Sequence, residues 1–288
     1  IALITQINLM KDVFDHKEIR VKINTKAMAL RGAGEIAELR FTLDDEDKPS
    51  YEEIFMMDAI TYFIGIILFA FIRYAPVKKE DIDLGSLFSR LKGGINYLRQ
   101  HPSIFRFGVL TYMLFAFTLV EIHVLLPRYV ESFLKESGSV YASAEIFYSF
   151  GAILSGILVY RLLSKFNAYL SIILLITIVS FAFLGMSFFK SIMFFFIANL
   201  LLGITNAGVR ILRTTYLFSH VPNNLMGRAT SVFSSINVIV RMFLILFFGS
   251  SLFEGENVRL GYYAGSIMLF LTIILLYLAY LLQKKKTI

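Results

Sequence analysis

Three ionisable side chains stand deep inside long apolar segments. These are Glu121, Glu145 and Arg241. A central charge facing lipid costs about 2.5–3.5 kcal/mol, so each should face water or a protein interior. We predict that Arg241 points into a polar path, where it binds an acidic group of a ligand or holds Glu121 or Glu145 ionised. A structural ion pair is the alternative for Arg241, and simple solvation near a helix end is the alternative for the two acids.

Polar residues recur at helical spacing in four segments. The stripes are Thr111, Thr118 and Glu121; Tyr141, Glu145 and Tyr148; Asn199, Asn206 and Arg210; and Ser234, Asn237 and Arg241. Steps of three and four place each stripe on one helix face. Two polar segments followed by an apolar one, twice over, indicate inverted three-helix repeats around an aqueous path, although helix–helix contact would give similar stripes. The candidate substrate and proton path comprises Arg241, Glu121, Glu145, Asn199, Asn206 and Asn237.

Other kinds of site lack support in the sequence. The four histidines show no zinc spacing, and His123 lies two residues from Glu121, on a different helix face. No phosphate-binding glycine loop and no nucleophile–base constellation occurs. We therefore expect neither an enzyme nor a bound cofactor or metal. Gly151 and Gly203 are interpreted as helix-packing contacts.

The elements that carry these residues are apolar runs of membrane-spanning length. The chain of 288 residues is 57% hydrophobic and 17% charged, far from the composition of a soluble domain. A run of about 20 apolar residues crosses the hydrocarbon layer as a helix. The predicted spans are Ile54–Ile72, Ile104–Leu126, Val140–Leu163, Ala168–Phe188, Ser191–Leu212, Ala229–Phe253 and Leu260–Leu282. The expected fold is an all-α membrane protein.

Basic residues collect on one side of these spans. That side includes an amphipathic linker over residues 74–103 and the Lys284–Lys286 tail. Because Lys- and Arg-rich loops stay inside the cell, we expect a multi-pass protein of the inner membrane with a cytoplasmic C-terminus. The net charge of +7 is explained by this bias without nucleic-acid binding.

Residues 1–53 form a different, polar segment. The stretch from Lys11 to Glu53 has no window able to cross a bilayer, and we interpret it as a solvated helix and an acidic loop. The start of the chain at Ile1, with an apolar stretch and no signal-peptide pattern, suggests a fragment of a longer protein.

Three segments carry a family resemblance. Met57–Phe63, Gly93–Pro102 and Val221–Ala229 resemble the sixth helix, the central loop and the turn between helices ten and eleven of major facilitator superfamily transporters. The similar branch contains macrolide-efflux proteins and the enterobactin exporter. The resemblance implies that residues 1–53 correspond to the end of helix four and to helix five. It implies that residues 54–73 are helix six and that residues 74–103 form a cytoplasmic linker. Residues 104–288 would then form the C-terminal six-helix transport bundle.

Two departures from the family pattern occur. Residues 1–53 are charged where the family is apolar, and Tyr160 stands where the family's inner loop often has an acid. The resemblance assigns four residues to the cytoplasmic gate and its turns: Pro222, Gly227, Arg228 and Arg161. In this assignment Pro222 ends a helix, Gly227 permits a close approach of another segment, and Arg228 holds the inner mouth of the path.

The function implied is proton-coupled efflux of small amphipathic compounds by alternating access. The partners would be lipid, substrate, protons and N-terminal helices upstream of this chain. A lysophospholipid or nutrient carrier of the same fold and a membrane sensor without transport are the alternatives.

Overall fold

Seven long helices follow one another among the described residues from Leu87 onward. The computed structural model describes residues 56, 59–60, 62–64, 66–67, 87–159, 163 and 166–287. The helices are α1 Leu87–Gln100, α2 Pro102–Leu134, α3 Gly138–Leu158, α4 Ala168–Phe188, α5 Ile192–His220, α6 Asn223–Phe248 and α7 Val258–Thr287. No strand occurs among these residues. Residues 1–53, most of the Ile54–Ile72 span, the first part of the linker and Arg161 lie outside the described residues.

The helices α2 to α7 are each long and apolar enough to cross a membrane. They correspond to six of the seven predicted spans, and the bounds of α4 agree with the prediction to the residue. The others differ because a helix continues past the apolar run that marks it: α5 extends to His220 where Leu212 was expected, and α6 starts at Asn223 where Ala229 was expected. Backbone hydrogen bonding sets a helix end, whereas hydropathy marks only its lipid-facing part.

The second half of α2 is wound more loosely than an α-helix. Two π-helical segments, Glu121–Leu125 and Tyr129–Leu134, flank a single α-helical turn at Leu126–Arg128. Pro127 within that turn has no N–H group, and its ring crowds the preceding turn, which explains the local widening. The helix stops where Lys135 adopts a left-handed conformation, with φ of 62°.

The helices pack in a pattern with internal symmetry. Helix α3 packs against α5, α6 against α2, and α4 against α7. If α2, α3 and α4 correspond to α5, α6 and α7, then the α3–α5 contact corresponds to the α6–α2 contact. The α4–α7 contact corresponds to itself. The pairings agree with two three-helix repeats, and the inverted relation between the repeats stays a prediction.

The closest helix pair is α3 and α5. A Cβ atom added to Gly151 would overlap the carbonyl oxygen of Leu200, and one added to Gly203 would overlap the carbonyl oxygen of Tyr148. The two backbones therefore approach through their glycines, as small residues allow in membrane helix pairs. The interpretation of both glycines as packing contacts is confirmed.

The outer surfaces of the bundle are apolar. Exposed side chains along α4 and α7 include Leu174, Phe181, Leu271 and Ile274. In water such a surface would cause association, whereas lipid chains cover it at no cost.

Candidate functional site

A buried guanidinium on α5 contacts α2, about two turns before α5 ends at His220. Arg213 of α5 is 4% exposed, and its Nη1 donates a hydrogen bond to the carbonyl oxygen of Thr111 at 3.1 Å. Its Cζ lies 3.7 Å from the centre of the Tyr112 ring, a cation–π contact. From α6, Asn237 Nδ2 donates to the carbonyl oxygen of Tyr112 at 3.1 Å. We call Thr111, Tyr112, Arg213 and Asn237 the polar junction.

The polar junction holds α5 and α6 to neighbouring carbonyls of one turn of α2. Both carbonyls lie inside a helix, so these bonds are additional to the helical ones. Phe233 completes the surroundings, with its ring stacked 6.0 Å from that of Tyr112. A single turn of α2 thus connects the two helices that carry Arg213 and Asn237.

A second polar contact joins α3 to α5. Asn206 Nδ2 donates to the hydroxyl oxygen of Tyr148 at 2.7 Å. Asn199, one stripe position earlier, is 2% exposed and donates to the carbonyl of Phe195 in its own helix. Of the three amides predicted to line a path, Asn206 and Asn237 therefore make contacts between helices, whereas Asn199 is satisfied locally inside the bundle.

Arg241 lies one turn beyond Asn237 along α6, towards the C-terminal end of that helix. It is half-buried and makes no hydrogen bond or ion pair with another described residue. Ser234 of the same predicted stripe is exposed and Asn237 is buried, so the stripe runs along the border between the packed and open faces of α6.

The acids stand apart from Arg241. Glu121 is fully buried, and its Oε1 accepts a hydrogen bond from the hydroxyl of Tyr262 on α7 at 2.8 Å. Glu145 is half-buried on α3, where it interacts with the hydroxyl of Tyr141. The expected pairing of Arg241 with either acid is absent from the described structure, because Glu121 turns towards α7 and Glu145 towards its own helix. His123 is exposed, which confirms that it and Glu121 occupy different faces.

The polar stripe of α2 also faces inward. Thr111 and Thr118 are buried and donate to the carbonyls of Phe107 and Leu114, one turn earlier. The aqueous path along this stripe stays a prediction, because a threonine that bonds its own helix can also pack in an apolar interior. Helical spacing placed these residues on one face but did not show what covers it.

Two of the segments that carried the resemblance meet at one end of the bundle. Gly94 of α1 packs against the backbone of Arg228, where an added Cβ would lie 2.6 Å from the carbonyl oxygen. The Tyr97 hydroxyl donates to the carbonyl of His220 at 3.4 Å. Pro222 follows the end of α5 at His220 and precedes α6, as predicted. A close approach is thus observed at Gly94, and the one expected at Gly227 stays a prediction.

The C-terminal end of α7 lies at this same end of the bundle. Gln283 Nε2 donates to the hydroxyl of Tyr216, one turn from His220. The described part of the linker and the tail beginning at Lys284 therefore share one end, as predicted. We call it the basic end, defined by α1, the α5–α6 turn and the last turns of α7.

Sequence reasoning did not propose Arg213. The apolar run ends at Leu212, so hydropathy alone places Arg213 in a basic loop. The available signal was its position seven residues after Asn206, which continues the polar stripe of α5. In the described residues, no group of three His, Asp or Glu side chains could hold a metal ion.

Comparisons with known proteins give one family. The sequence model described as Major Facilitator Superfamily matches residues 47–245. A search of curated proteins found no match. The matched range includes α1 to α5 and most of α6, and therefore contains the polar junction.

Proposed function

The chain belongs to the Major Facilitator Superfamily, a family of secondary transporters, and from this membership we propose that it takes part in proton-coupled efflux of small amphipathic compounds. Transport would proceed by alternating access, with upstream helices completing the path. The basic end would be cytoplasmic, in an inner membrane, because it carries the linker and the basic tail.

The observation that carries the proposal is the pair of guanidinium groups within the membrane-spanning helices α5 and α6. Arg213 is enclosed in the polar junction, and Arg241 lies half-buried without a partner among the described residues. Charges at this depth are costly and usually serve ion or substrate pathways. An arginine also stays charged at every accessible pH, so it can attract an acidic group throughout a transport cycle.

Arg241 is proposed to face the substrate path and to bind an acidic group there. Its lack of a described partner leaves the guanidinium available to a ligand or to a carboxylate from another part of the protein. The amide of Asn237, one turn earlier, supports a polar environment on this side of α6.

Replacement of Arg241 by Leu tests the proposal. We expect export of amphipathic fluorescent dyes, measured with one cationic and one anionic dye, to be lost while membrane insertion is intact or improved, because a desolvation cost is removed. Arg259→Leu is the control, since Arg259 is exposed at the start of α7. Normal export of both dyes by the Arg241→Leu protein would reduce Arg241 to a packing residue.

A further inference from the structure

We infer that Glu121 is a proton-binding site enclosed between α2 and α7, separate from the polar junction and from Arg241. The inference rests on the proposed function in one respect: it assigns the coupling proton to a place off the substrate path. The ligand is a proton taken from solution, and its binding needs no cofactor.

The contacts of Glu121 favour a neutral acid. The side chain is 0% exposed, Tyr262 donates to Oε1 at 2.8 Å, and Oε2 is buried without a hydrogen-bond partner. No Lys, Arg or His side chain among the described residues forms an ion pair with it. A carboxylate that loses hydration and receives one hydrogen bond is costly, whereas an added proton on Oε2 removes the charge.

The described groups packed against the Glu121–Tyr262 pair are aromatic rings. Tyr262 faces it from α7, and the Tyr129 ring packs 4.8 Å from that of Tyr262. From α4 the neighbour of Tyr262 is Phe183, which cannot ionise. The closest cation along α2, Arg128, donates instead to the Phe248 carbonyl of α6 at 3.4 Å.

Two ionisable side chains of α3 indicate the end of the bundle from which a proton enters. Tyr141 interacts with Glu145 through its hydroxyl and lies near enough to Glu121 to interact with its charge. Both Tyr141 and Glu145 are half-buried, near the end of the bundle opposite the basic end. We therefore assign the entry and exit of the proton to the end of the bundle at which Tyr141 and Glu145 lie. In the proposed topology this end faces outside the cell.

The backbone at Glu121 offers a way to open the site. The first π-helical segment begins at this residue, and the N–H of Leu126 donates to its carbonyl five residues back. π-helical turns are less stable than α-helical ones and occur often at functional positions. Rewinding of this turn would rotate the carboxyl group and admit the water that its ionised form requires.

Infrared spectroscopy of the protein in liposomes tests the site directly. A protonated carboxylic acid has a carbonyl stretch at higher frequency than a carboxylate. We expect such a band at neutral pH, lost in Glu121→Gln and retained in Glu131→Gln, where the glutamate of the same helix is exposed. A band that Glu121→Gln leaves unchanged would overturn the inference.

A second variant covers the case in which Glu121→Gln does not fold. Tyr262→Phe removes only the hydrogen bond to Oε1, so the band should remain and move to higher frequency. An unmoved band would also contradict the assignment. If the band behaves as expected but wild-type dye export ignores the pH gradient, the proposed coupling fails and the proton site stands.

Discussion

At the scale of single residues, the two buried ionisable groups differ in how they are compensated. Arg213 has a carbonyl oxygen and an aromatic face, both of which suit a permanent cation. Glu121 has one tyrosine hydroxyl, which suits an acid that gains and loses a proton. The charge of Arg213 is therefore permanent, whereas a proton can neutralise that of Glu121.

Replacing Arg213 by Met should separate stability from transport. The Thr111 carbonyl keeps its helical hydrogen bond, and Met fills similar volume without a charge, so the melting temperature in detergent should be unchanged or higher. Dye export should fall at least about tenfold, the equivalent of about 1.4 kcal/mol, because the polar junction loses its cation. Arg259→Met is the matched control, and normal export by Arg213→Met would show that this cation is dispensable.

At the scale of the helices, the α3–α5 pair is the contact that leaves the least space between two backbones. Its geometry depends on two glycines that meet backbone carbonyls rather than flexible side chains. Backbone atoms cannot move aside without moving the whole helix, so even one methyl group must separate α3 from α5. Because Asn206 and Tyr148 bridge the same pair, separation would also disturb the polar contact between these helices.

Gly203→Ala should therefore destabilise the bundle by about 1–3 kcal/mol. The measurement is a lower melting temperature of the purified protein in detergent. Gly138→Ala serves as the control, because an added Cβ there meets no atom within 4 Å. Equal melting temperatures for the two variants would mean that α3 and α5 are not in contact as described.

At the scale of the whole molecule, the basic end is the feature that sets orientation. The α1 helix, the α5–α6 turn and the last turns of α7 meet there through contacts such as Gly94 with Arg228 and Tyr216 with Gln283. Helix α1 is thereby attached to α6, the helix that carries Arg241. A movement of α6 during the proposed alternating access would therefore displace α1, the described part of the linker.

Single-cysteine labelling in intact cells should establish this orientation. The chain contains no cysteine, so Glu136→Cys and Asn224→Cys each give one exposed thiol, at opposite ends of the bundle. A membrane-impermeant maleimide should label position 136 from outside and position 224 only after permeabilisation, because loops rich in Lys and Arg are retained inside the cell. The reverse pattern would invert the proposed topology.

Much of the architecture followed from the sequence alone. Apolar runs of spanning length predicted the six membrane helices, because in lipid each segment must satisfy its own backbone hydrogen bonds and helix formation is therefore a local property. For the same reason the bounds of α4, a helix apolar along its length, agreed with the prediction, whereas α5 and α6 continue into polar residues. Small residues at helical spacing also identified Gly151 and Gly203 as packing contacts.

The partners of the polar residues were decided only by the tertiary structure. Periodicity places Glu121 on a helix face, but its hydrogen-bond partner Tyr262 is 141 positions away, and the carbonyl that Arg213 contacts is 102 positions away. Which face meets which neighbour depends on how six helices rotate and pack together, a collective property that no single segment encodes. The sequence therefore predicted that Glu121 and Arg241 avoid lipid, and the packing placed them apart.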